Sequence, residues 1–263
     1  MSDSPMVIPG SGELTPVDRG LLYGEGVFET LHLRPDGPWL LDAHLNRLAT
    51  SAAVLDLPLP PRPELAELAT RAAAAWTGGE GALRLIVTPA TVYATVTAVP
   101  ATARRERRDG IRLITANSGI VARPPWSLAG AKTLSYAENL AARRWAQRQG
   151  ADDVLWLRAD GQALEAPTAS LIWLAGDTLC TVPAGETGIL PGTTAAHLLA
   201  RAPELGLRTE ERMISAAALA TTDAIWLASS LRGLAEARAL DGAARPPSTW
   251  TSRLLNLLGF TTP

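Results

Sequence analysis

Residues 128–150 read LAGAKTLSYAENLAARRWAQRQG and contain Lys132, the only lysine in a chain of 263 residues. The chain has 24 lysines and arginines in total, so the remaining 23 are all arginines. The alanine-rich segment that follows, residues 137–149, predicts a helix, and Gly150 predicts its C-terminal cap.

Two explanations of Lys132 are open. A strong arginine bias leaves an occasional lysine by chance, and the count alone favours this explanation. The chemical explanation is that arginine stays protonated, whereas a desolvated lysine loses its proton and attacks a carbonyl to form a Schiff base. The rest of the sequence has to decide between the two.

Composition excludes several classes of function. The formal net charge is −2 and no basic patch is interleaved with aromatic residues, so we expect no nucleic-acid partner. No apolar run approaches the ~18 residues of a membrane span, so we expect no membrane association. Cys180 is the only cysteine, which excludes an internal disulfide and fits a cytoplasmic location. The three histidines have no metal-ligand spacing, so no metal site is expected.

Short strands and helices alternate along the chain and predict an α+β fold in two lobes. Alternation in GVFETLHLR, residues 26–34, predicts a strand, and the apolar spacing of residues 41–55 predicts an amphipathic helix capped by Asp42. Asp-Gly and Gly-Asp pairs predict hairpin turns, which implies antiparallel pairing. We place a small N-terminal domain at residues 1–107 and a larger C-terminal domain at 108–263.

The basic run near this boundary reads ATARRERRDG, residues 101–110. It contains four arginines, but a glutamate interrupts them and Asp-Gly follows. We therefore interpret the run as a solvated connector.

Three further features supply the groups that a lysine acting through a pyridoxal cofactor requires. A phosphate needs helix N-terminal amides, hydroxyls and an arginine, and the candidates are residues 192–194 and Arg47. A pyridine nitrogen needs a carboxylate, and the candidate is Glu165. Tyr136 is a candidate donor to a phenolic oxygen. Each also has an ordinary explanation: helix capping, surface exposure or, for Tyr136, a half-buried aromatic.

The order of six segments resembles the fold-type IV class of pyridoxal-phosphate enzymes. This class includes branched-chain aminotransferases, D-amino acid aminotransferases and aminodeoxychorismate lyase. The segments are DRGLLYGEGVFET (18–30), AHLNRLATSAAVL (43–55), KTLSYAENLAARRWA (132–146), LRADGQALEAPTASLIW (157–173), LPGTTAAHLL (190–199) and LASSLRGLAEARALDG (227–242). The resemblance implies a pyridoxal 5′-phosphate cofactor, a small α/β lobe, a larger lobe with an antiparallel or mixed sheet, and a homodimer.

Residue by residue, the resemblance implies that Lys132 forms the Schiff base with the cofactor. Glu165 would bind the pyridine nitrogen, Leu190 would pack against the cofactor ring, and Tyr136 would bond to its phenolic oxygen. The implied phosphate ligands are Arg47, Thr193, Thr194 and Ser230.

Thr30 bears on which activity the resemblance implies. Branched-chain aminotransferases carry glycine there, whereas the lyases carry threonine as a proton relay. The segment SSLRG, residues 229–233, also resembles the lyases, and the arginine–histidine motif of D-amino acid aminotransferases is not visible. The resemblance thus favours aminodeoxychorismate lyase, which acts on a small-molecule amine and forms 4-aminobenzoate and pyruvate on the way to folate.

One segment departs from the lyase pattern. Lyase-like sequences carry Thr-Arg-Gly where this chain has Thr88, Pro89 and Ala90. Arg84, Arg123 and Arg232 are the arginines that would substitute for the missing one. An aminotransferase, or a lyase-like enzyme of specialised metabolism acting on another amine, therefore stays open.

Overall fold

The computed structural model describes residues 5–13, 15–118 and 126–260. The chain divides into two compact units: unit 1 is Met1–Ala101 with Gly130–Tyr136, and unit 2 is Thr102–Ala129 with Ala137–Pro263. Lys132 therefore belongs to unit 1, although unit 2 begins before it in the sequence. The domains predicted at 1–107 and 108–263 stay a prediction, because compactness does not test which segments fold alone.

Unit 1 is a five-stranded antiparallel sheet with helices, in the strand order β1-β5-β4-β2-β3. Its strands are β1 Met6–Gly12, β2 Val27–Arg34, β3 Gly37–Pro38, β4 Gly81–Val87 and β5 Thr91–Ala98. Its helices are α1 Arg19–Tyr23, α2 Leu41–Val54 and α3 Arg62–Ala75.

The two faces of the unit 1 sheet differ in character because successive side chains of a strand point to opposite sides. On one face, apolar residues of β2, β4 and β5 pack against α2 and α3 and form the core. Leu31, Leu48 and Leu83 are fully buried there, and each contributes about 1.5–3 kcal/mol relative to an exposed side chain. Phe28, Thr30 and their cross-strand neighbours occupy the other face.

Helix α2 confirms the predicted amphipathic segment but not its cap. Asp42 lies inside the first turn, and the N-cap position is Leu40, which has a left-handed backbone (φ 56°) and makes no side-chain cap. Asp42 is exposed and pairs with Arg62 of α3 instead, at 2.6 Å. The consequence for the site is that α2 presents His44, Arg47 and Ser51 at three- and four-residue steps.

Unit 2 contains an eight-stranded mixed sheet in the order β10-β9-β8-β11-β12-β6-β7, with β13 paired to β12. Its strands are β6 Ile111–Asn117, β7 Asp153–Leu157, β8 Ser170–Ala175, β9 Thr178–Thr181, β10 Arg208–Glu211, β11 Ala224–Ser229, β12 Gly233–Leu240 and β13 Ala243–Ala244. The helices from the unit boundary onward are α4 Ala101–Asp109, α5 Ala137–Arg148, α6 Ala184–Thr187, α7 Thr193–Arg201, α8 Ala216–Ala220 and α9 Trp250–Leu257. The predicted α+β fold, with a larger C-terminal part and a mixed sheet, is confirmed.

The run predicted to be a solvated connector forms α4 over residues 101–109, and three of its four arginines are exposed, as predicted. Glu106 of this helix is buried and pairs with Arg232 at 2.8 Å and with Arg143 at 3.3 Å. Arg232 also binds Asp153 at 2.8 Å. The glutamate that interrupts the basic run is therefore part of a buried ion-pair network within unit 2.

Two features are absent from the described residues. Among these residues, no helix is both long and apolar enough to cross a membrane. The same residues contain no group of three or more histidine, cysteine, aspartate or glutamate side chains that could hold a metal ion.

Candidate active site

The backbone around Lys132 is fixed by two elements that are distant in sequence. Residues 132–134 run along the start of β2, where Phe28 N donates to Lys132 O at 3.1 Å and Leu134 N donates to Gly26 O at 2.9 Å. On the other side, Lys132 N donates to Ser51 Oγ of α2 at 3.0 Å. The position of the lysine is therefore set by unit 1 itself.

The amine of Lys132 lies against two aromatic rings. Its Nζ is 4.3 Å from the centroid of Phe28 and 5.1 Å from that of Tyr136. It donates to Tyr136 Oη at 3.3 Å. The two rings meet edge to face, at 5.2 Å and 84°. Phe28 and Tyr136 thus limit the freedom of a half-buried amine.

Arg47 is held by a buried carboxylate. Its Nε donates to Glu29 Oε1 at 2.8 Å and its Nη2 donates to Glu29 Oε2 at 2.7 Å. His44 Nδ1 lies 2.6 Å from the same Oε2. The Arg47 side chain is only 9% exposed, so a solvated position on the helix is wrong for this residue.

The neighbours of Glu29 keep its carboxylate charged. Burial raises the pKa of Glu29, but Arg47 and then His44 more than offset that effect, and the pKa falls to about 2. Burial lowers the pKa of His44, which the nearby Glu29 only partly counteracts. Glu29 is therefore an anion at neutral pH, and its charge is compensated by Arg47.

Glu29, His44 and Ser51 are site residues that sequence reasoning missed. The position of Glu29 in β2 could have identified it. Val27 and Leu31, two residues before and after it, point to the core, so the strand alternation places Glu29 on the core face as well. A carboxylate at such a position is almost never fully buried without a partner. The partner could not be read from the sequence, because Glu29 and Arg47 are brought together only by the packing of α2 on the sheet.

Thr30 lies two residues after Phe28 in β2, on the face opposite the helical core. It is half-buried and stands directly across from Arg84 of β4. Because the side chains of cross-strand partners project from the same face of a sheet, the Thr30 hydroxyl shares the face that carries Phe28.

In unit 2, Glu165 and Leu190 are brought together. Glu165 Oε1 accepts a hydrogen bond from Leu190 N at 3.1 Å. The glutamate backbone is fixed as well, since Trp156 N donates to Glu165 O at 3.0 Å. The half-buried Glu165 is therefore a positioned carboxylate rather than an exposed one.

The start of α7 has the features of an anion site. Gly192 is the N-cap and provides no side-chain cap, while Thr193 and Thr194 begin the helix and are buried. Across residues 5–13, 15–118 and 126–260, the buried Thr194 Oγ1 has no hydrogen-bond partner. A Cβ at Gly192 would stand 2.1 Å from Ser170 Oγ, so a larger residue there would require the Ser170 side chain to move. Ordinary capping by a side chain is thus excluded, and an anion would be favoured by the helix dipole.

Ser230 and Arg232 lie in the turn that joins β11 to β12. Helix α7 packs against β11, which leads directly into the buried Ser230. Arg232 is occupied by Glu106 and Asp153. Arg123 lies outside the described residues. The predicted residues therefore fall in two sets: Thr30, Arg47, Lys132 and Tyr136 in unit 1, and Glu165, Leu190, Thr193, Thr194 and Ser230 in unit 2.

Comparisons with known proteins identify the family of the chain. The family model for amino-transferase class IV matches residues 26–240. A Mycobacterium tuberculosis protein named bifunctional aminodeoxychorismate lyase / D-amino acid transaminase is 38% identical over 264 residues, which cover 93% of this chain and 91% of that protein.

Solved structures of aminotransferases are similar to this chain in both fold and sequence. A hypothetical aminotransferase from Mycobacterium tuberculosis, in a PLP-bound form, superposes with a TM-score of 0.92 at 36% identity and covers 97% of this chain and 98% of its own. A fold IV transaminase from Curtobacterium pusillum superposes with a TM-score of 0.87 at 38% identity, covering 95% and 88% of the two chains.

Proposed function

The chain belongs to the class IV aminotransferase family, whose cofactor is pyridoxal phosphate, and we propose that it is a 4-amino-4-deoxychorismate lyase. The products would be 4-aminobenzoate and pyruvate. The observation that carries the proposal is Thr30, a hydroxyl on the sheet face that also bears Phe28, whose ring contacts the Lys132 amine. The relative at 38% identity has the lyase activity in its name, which supports the same assignment.

The described residues fit the cofactor. The buried Thr194 hydroxyl without a partner lies where backbone N–H groups favour an anion, as a phosphate requires. Glu165 is a carboxylate positioned by hydrogen bonds, as a pyridine nitrogen requires. We assign covalent attachment to Lys132, ring packing to Leu190 and the phenolic oxygen to Tyr136. The phosphate is assigned to Arg47, Thr193, Thr194 and Ser230.

Three residues carry the proposed chemistry. Pyridoxal phosphate, when bound, supplies an electron sink for negative charge on the substrate carbon that bears nitrogen. The Glu165 carboxylate keeps a proton on the pyridine nitrogen, which that sink needs. The Lys132 amine, in its neutral form, removes the proton from the substrate carbon at Nζ.

Thr30 completes the reaction at the leaving group. The ring C–O bond breaks, and the proton taken up at Lys132 Nζ is passed through Thr30 Oγ1 to the departing enolpyruvyl group, which becomes pyruvate. The ring, having lost one proton and the enolpyruvyl group, is the aromatic 4-aminobenzoate. The atoms of one substrate are thus divided between two products without an oxidant or a second substrate.

The test is product identification with the purified holoenzyme. We expect 4-aminodeoxychorismate alone to yield 4-aminobenzoate and pyruvate in equal amounts, and Lys132→Ala to abolish both. Thr30→Val should lower kcat by about 10²–10³-fold, with partial recovery in Thr30→Ser. Thr70→Val, on the exposed face of α3, is the matched control and should not change kcat. Product formation that depends on an amino acid and a keto acid would overturn the proposal.

D-amino acid transamination is a second candidate, favoured by the bifunctional name of the relative at 38% identity. It uses Lys132 and Glu165 in the same way but breaks no C–O bond. D-alanine and 2-oxoglutarate should then yield pyruvate and D-glutamate. Because no leaving group needs a proton in this reaction, Thr30→Val should spare it. An equal loss of both activities in Thr30→Val would contradict the role of Thr30 as a proton relay.

We also propose that the enzyme is a homodimer, since the resemblance to fold-type IV enzymes implies this state. Light scattering on the holoenzyme tests it directly. A mass of about 28 kDa, close to that of the single chain, would contradict the dimer.

A further inference from the structure

The turn after β4 lacks the arginine that lyase-like sequences carry. Thr88 N donates to Thr91 O at 2.9 Å, and the turn between them exposes Pro89 and Ala90. Neither residue offers a side-chain donor. A substrate carboxylate would therefore need a cation from another part of the chain.

Arg232 is not available as that cation. It is 4% exposed and binds both Glu106 and Asp153 at 2.8 Å. Removing a partner from such a buried network leaves an uncompensated charge, which is strongly destabilising. Recruitment of Arg232 by a substrate would break these pairs.

Arg84 has a different environment. It is an exposed residue in the middle of β4, flanked across the sheet by Thr30 of β2 and Thr95 of β5. Within the ranges that the structure describes, its guanidinium forms no hydrogen bond or ion pair. Instead, the guanidinium makes a cation–π contact with the ring of Phe28, whose centroid is 6.0 Å from Cζ.

Lys132 lies near the same Phe28 ring as Arg84. Lys132 Nζ is 4.3 Å from the Phe28 centroid, so Nζ and the Arg84 guanidinium are no farther apart than the sum of these two distances. Both cations therefore lie beside the same ring. The hydroxyls of Thr30 and Thr95 share the sheet face and add polar groups beside Arg84.

We propose that Arg84 binds a carboxylate of the substrate, in place of the arginine that is absent at Pro89. The inference rests on the proposed function, because it takes Lys132 as the reacting amine. A guanidinium with an open edge binds a carboxylate through two parallel hydrogen bonds, and this geometry gives both affinity and orientation.

The first test compares two amines that differ only in this group. In isopropylamine, a methyl group replaces the carboxylate of D-alanine. Reaction of the holoenzyme with each is followed through the visible absorption of the cofactor. We expect Arg84→Gln to lower kcat/KM for D-alanine by about 10- to 100-fold, mainly through KM, and to leave the value for isopropylamine unchanged.

Arg253→Gln is the matched control, because Arg253 is exposed and stacks on Trp250 at 3.9 Å. It should affect neither amine. Arg84→Lys keeps the charge but loses the paired hydrogen bonds, so it should recover part of the preference for D-alanine. An equal change for both amines in Arg84→Gln, or no change, would overturn the proposal.

Binding of 2-oxoglutarate separates this inference from the proposed function. We expect its dissociation constant for the holoenzyme, measured by calorimetry, to rise at least 10-fold in Arg84→Gln. Such a rise in an enzyme that forms no 4-aminobenzoate would refute the lyase and support Arg84. No binding by the wild type, or equal constants in both proteins, would refute the role of Arg84.

Discussion

Glu29 accepts two parallel hydrogen bonds from Arg47, of 2.8 and 2.7 Å, at a strand position that is completely buried. The strand β2 and the helix α2 are thereby joined by a charge pair rather than by apolar contact alone. Two bonds fix the plane of the guanidinium as well as its distance. Glu29 is therefore a positioning residue for Arg47, and through it for the phosphate that we assign to Arg47.

Replacing Glu29 by glutamine should destabilise the protein and weaken cofactor binding. Removal of one partner from a buried pair costs about 3–5 kcal/mol. The dissociation constant for pyridoxal phosphate should rise, whereas that for pyridoxal, which lacks the phosphate, should change much less. Urea unfolding and absorbance titration measure the two effects.

The control is Glu25→Gln, because Glu25 pairs with Arg19 at the surface. An exposed pair contributes at most about 1 kcal/mol, and cofactor binding should not change. Equal losses of affinity for pyridoxal and its phosphate in Glu29→Gln would show that Glu29 does not act through the phosphate.

The stabilising effect of Glu29 should depend on pH in the acid range. Its pKa is about 2 in the folded protein, against the ordinary glutamate pKa of 4.5. A carboxylate with a lowered pKa contributes stability above its unfolded pKa, and the contribution is lost as pH falls toward the folded value. The difference corresponds to about 3 kcal/mol.

The measurement is the free energy of unfolding of the wild type and Glu29→Gln from pH 7 to pH 3. The gap between the two proteins should be constant down to about pH 5 and shrink below 4.5. Protonation of His44 destabilises the fold at lower pH as well, since burial lowers the pKa of His44. A gap that stayed constant to pH 3 would exclude a strongly acidic Glu29.

Replacing Thr194 by valine should separate stability from cofactor binding. Valine keeps the shape of threonine and removes a buried hydroxyl that has no partner among the described residues. The apo protein should therefore be equally stable, or more stable by about 1 kcal/mol. The dissociation constant for pyridoxal phosphate should rise about 10-fold, because a bond to the phosphate is lost.

Thr181→Val is the matched comparison, because the Thr181 hydroxyl donates to Leu171 O at 2.8 Å. This change should destabilise the apo protein by about 1–3 kcal/mol, since an acceptor is left unpaired. If Thr194→Val lost stability to the same extent and bound the cofactor normally, the assigned phosphate role of Thr194 would be wrong.

Replacing Gly192 by alanine should disrupt the start of α7. The new Cβ would stand 2.1 Å from Ser170 Oγ and 3.2 Å from its Cβ. We expect affinity for pyridoxal phosphate to fall more than 10-fold, as the backbone amides at the helix start are displaced. Adding Ser170→Ala should restore part of the affinity, because it removes the nearer atom.

Gly185→Ala tests whether any added methyl group has this effect. Nothing lies within 4 Å of a Cβ at Gly185, so cofactor affinity should not change. A normal affinity in Gly192→Ala would mean that the helix start is not needed for the phosphate.

Local patterns in the sequence predict much of the fold. The hairpin turns at Asp36 and Gly37, and at Gly176 and Asp177, are confirmed, because backbone conformation at such turns depends on neighbouring residues. The helix before Gly150 is confirmed for the same reason. The burial of Glu106 within the basic run could not be predicted, because it depends on Arg143 and Arg232, which are remote in sequence.

The site shows the same division. Lys132 and Arg47 are predictable from residue type and order in the chain. Their surroundings are not, since Ser51 and Phe28 reach Lys132 only after α2 and β2 pack. Arg84 could be proposed from the sequence as one of three arginines, but the ion pairs that occupy Arg232 are visible only in the structure.

The pairing of residues 132–134 with the start of β2 has a consequence for synthesis of the chain. Unit 1 is discontinuous, so a nascent chain that ends at residue 101 has the whole sheet but lacks this segment. The N-terminal part of β2 would then be an open edge, with backbone groups ready to pair with another molecule. The segment that delivers the reactive amine also covers the first residues of that edge, so the reactive group and this backbone pairing arrive in the same step.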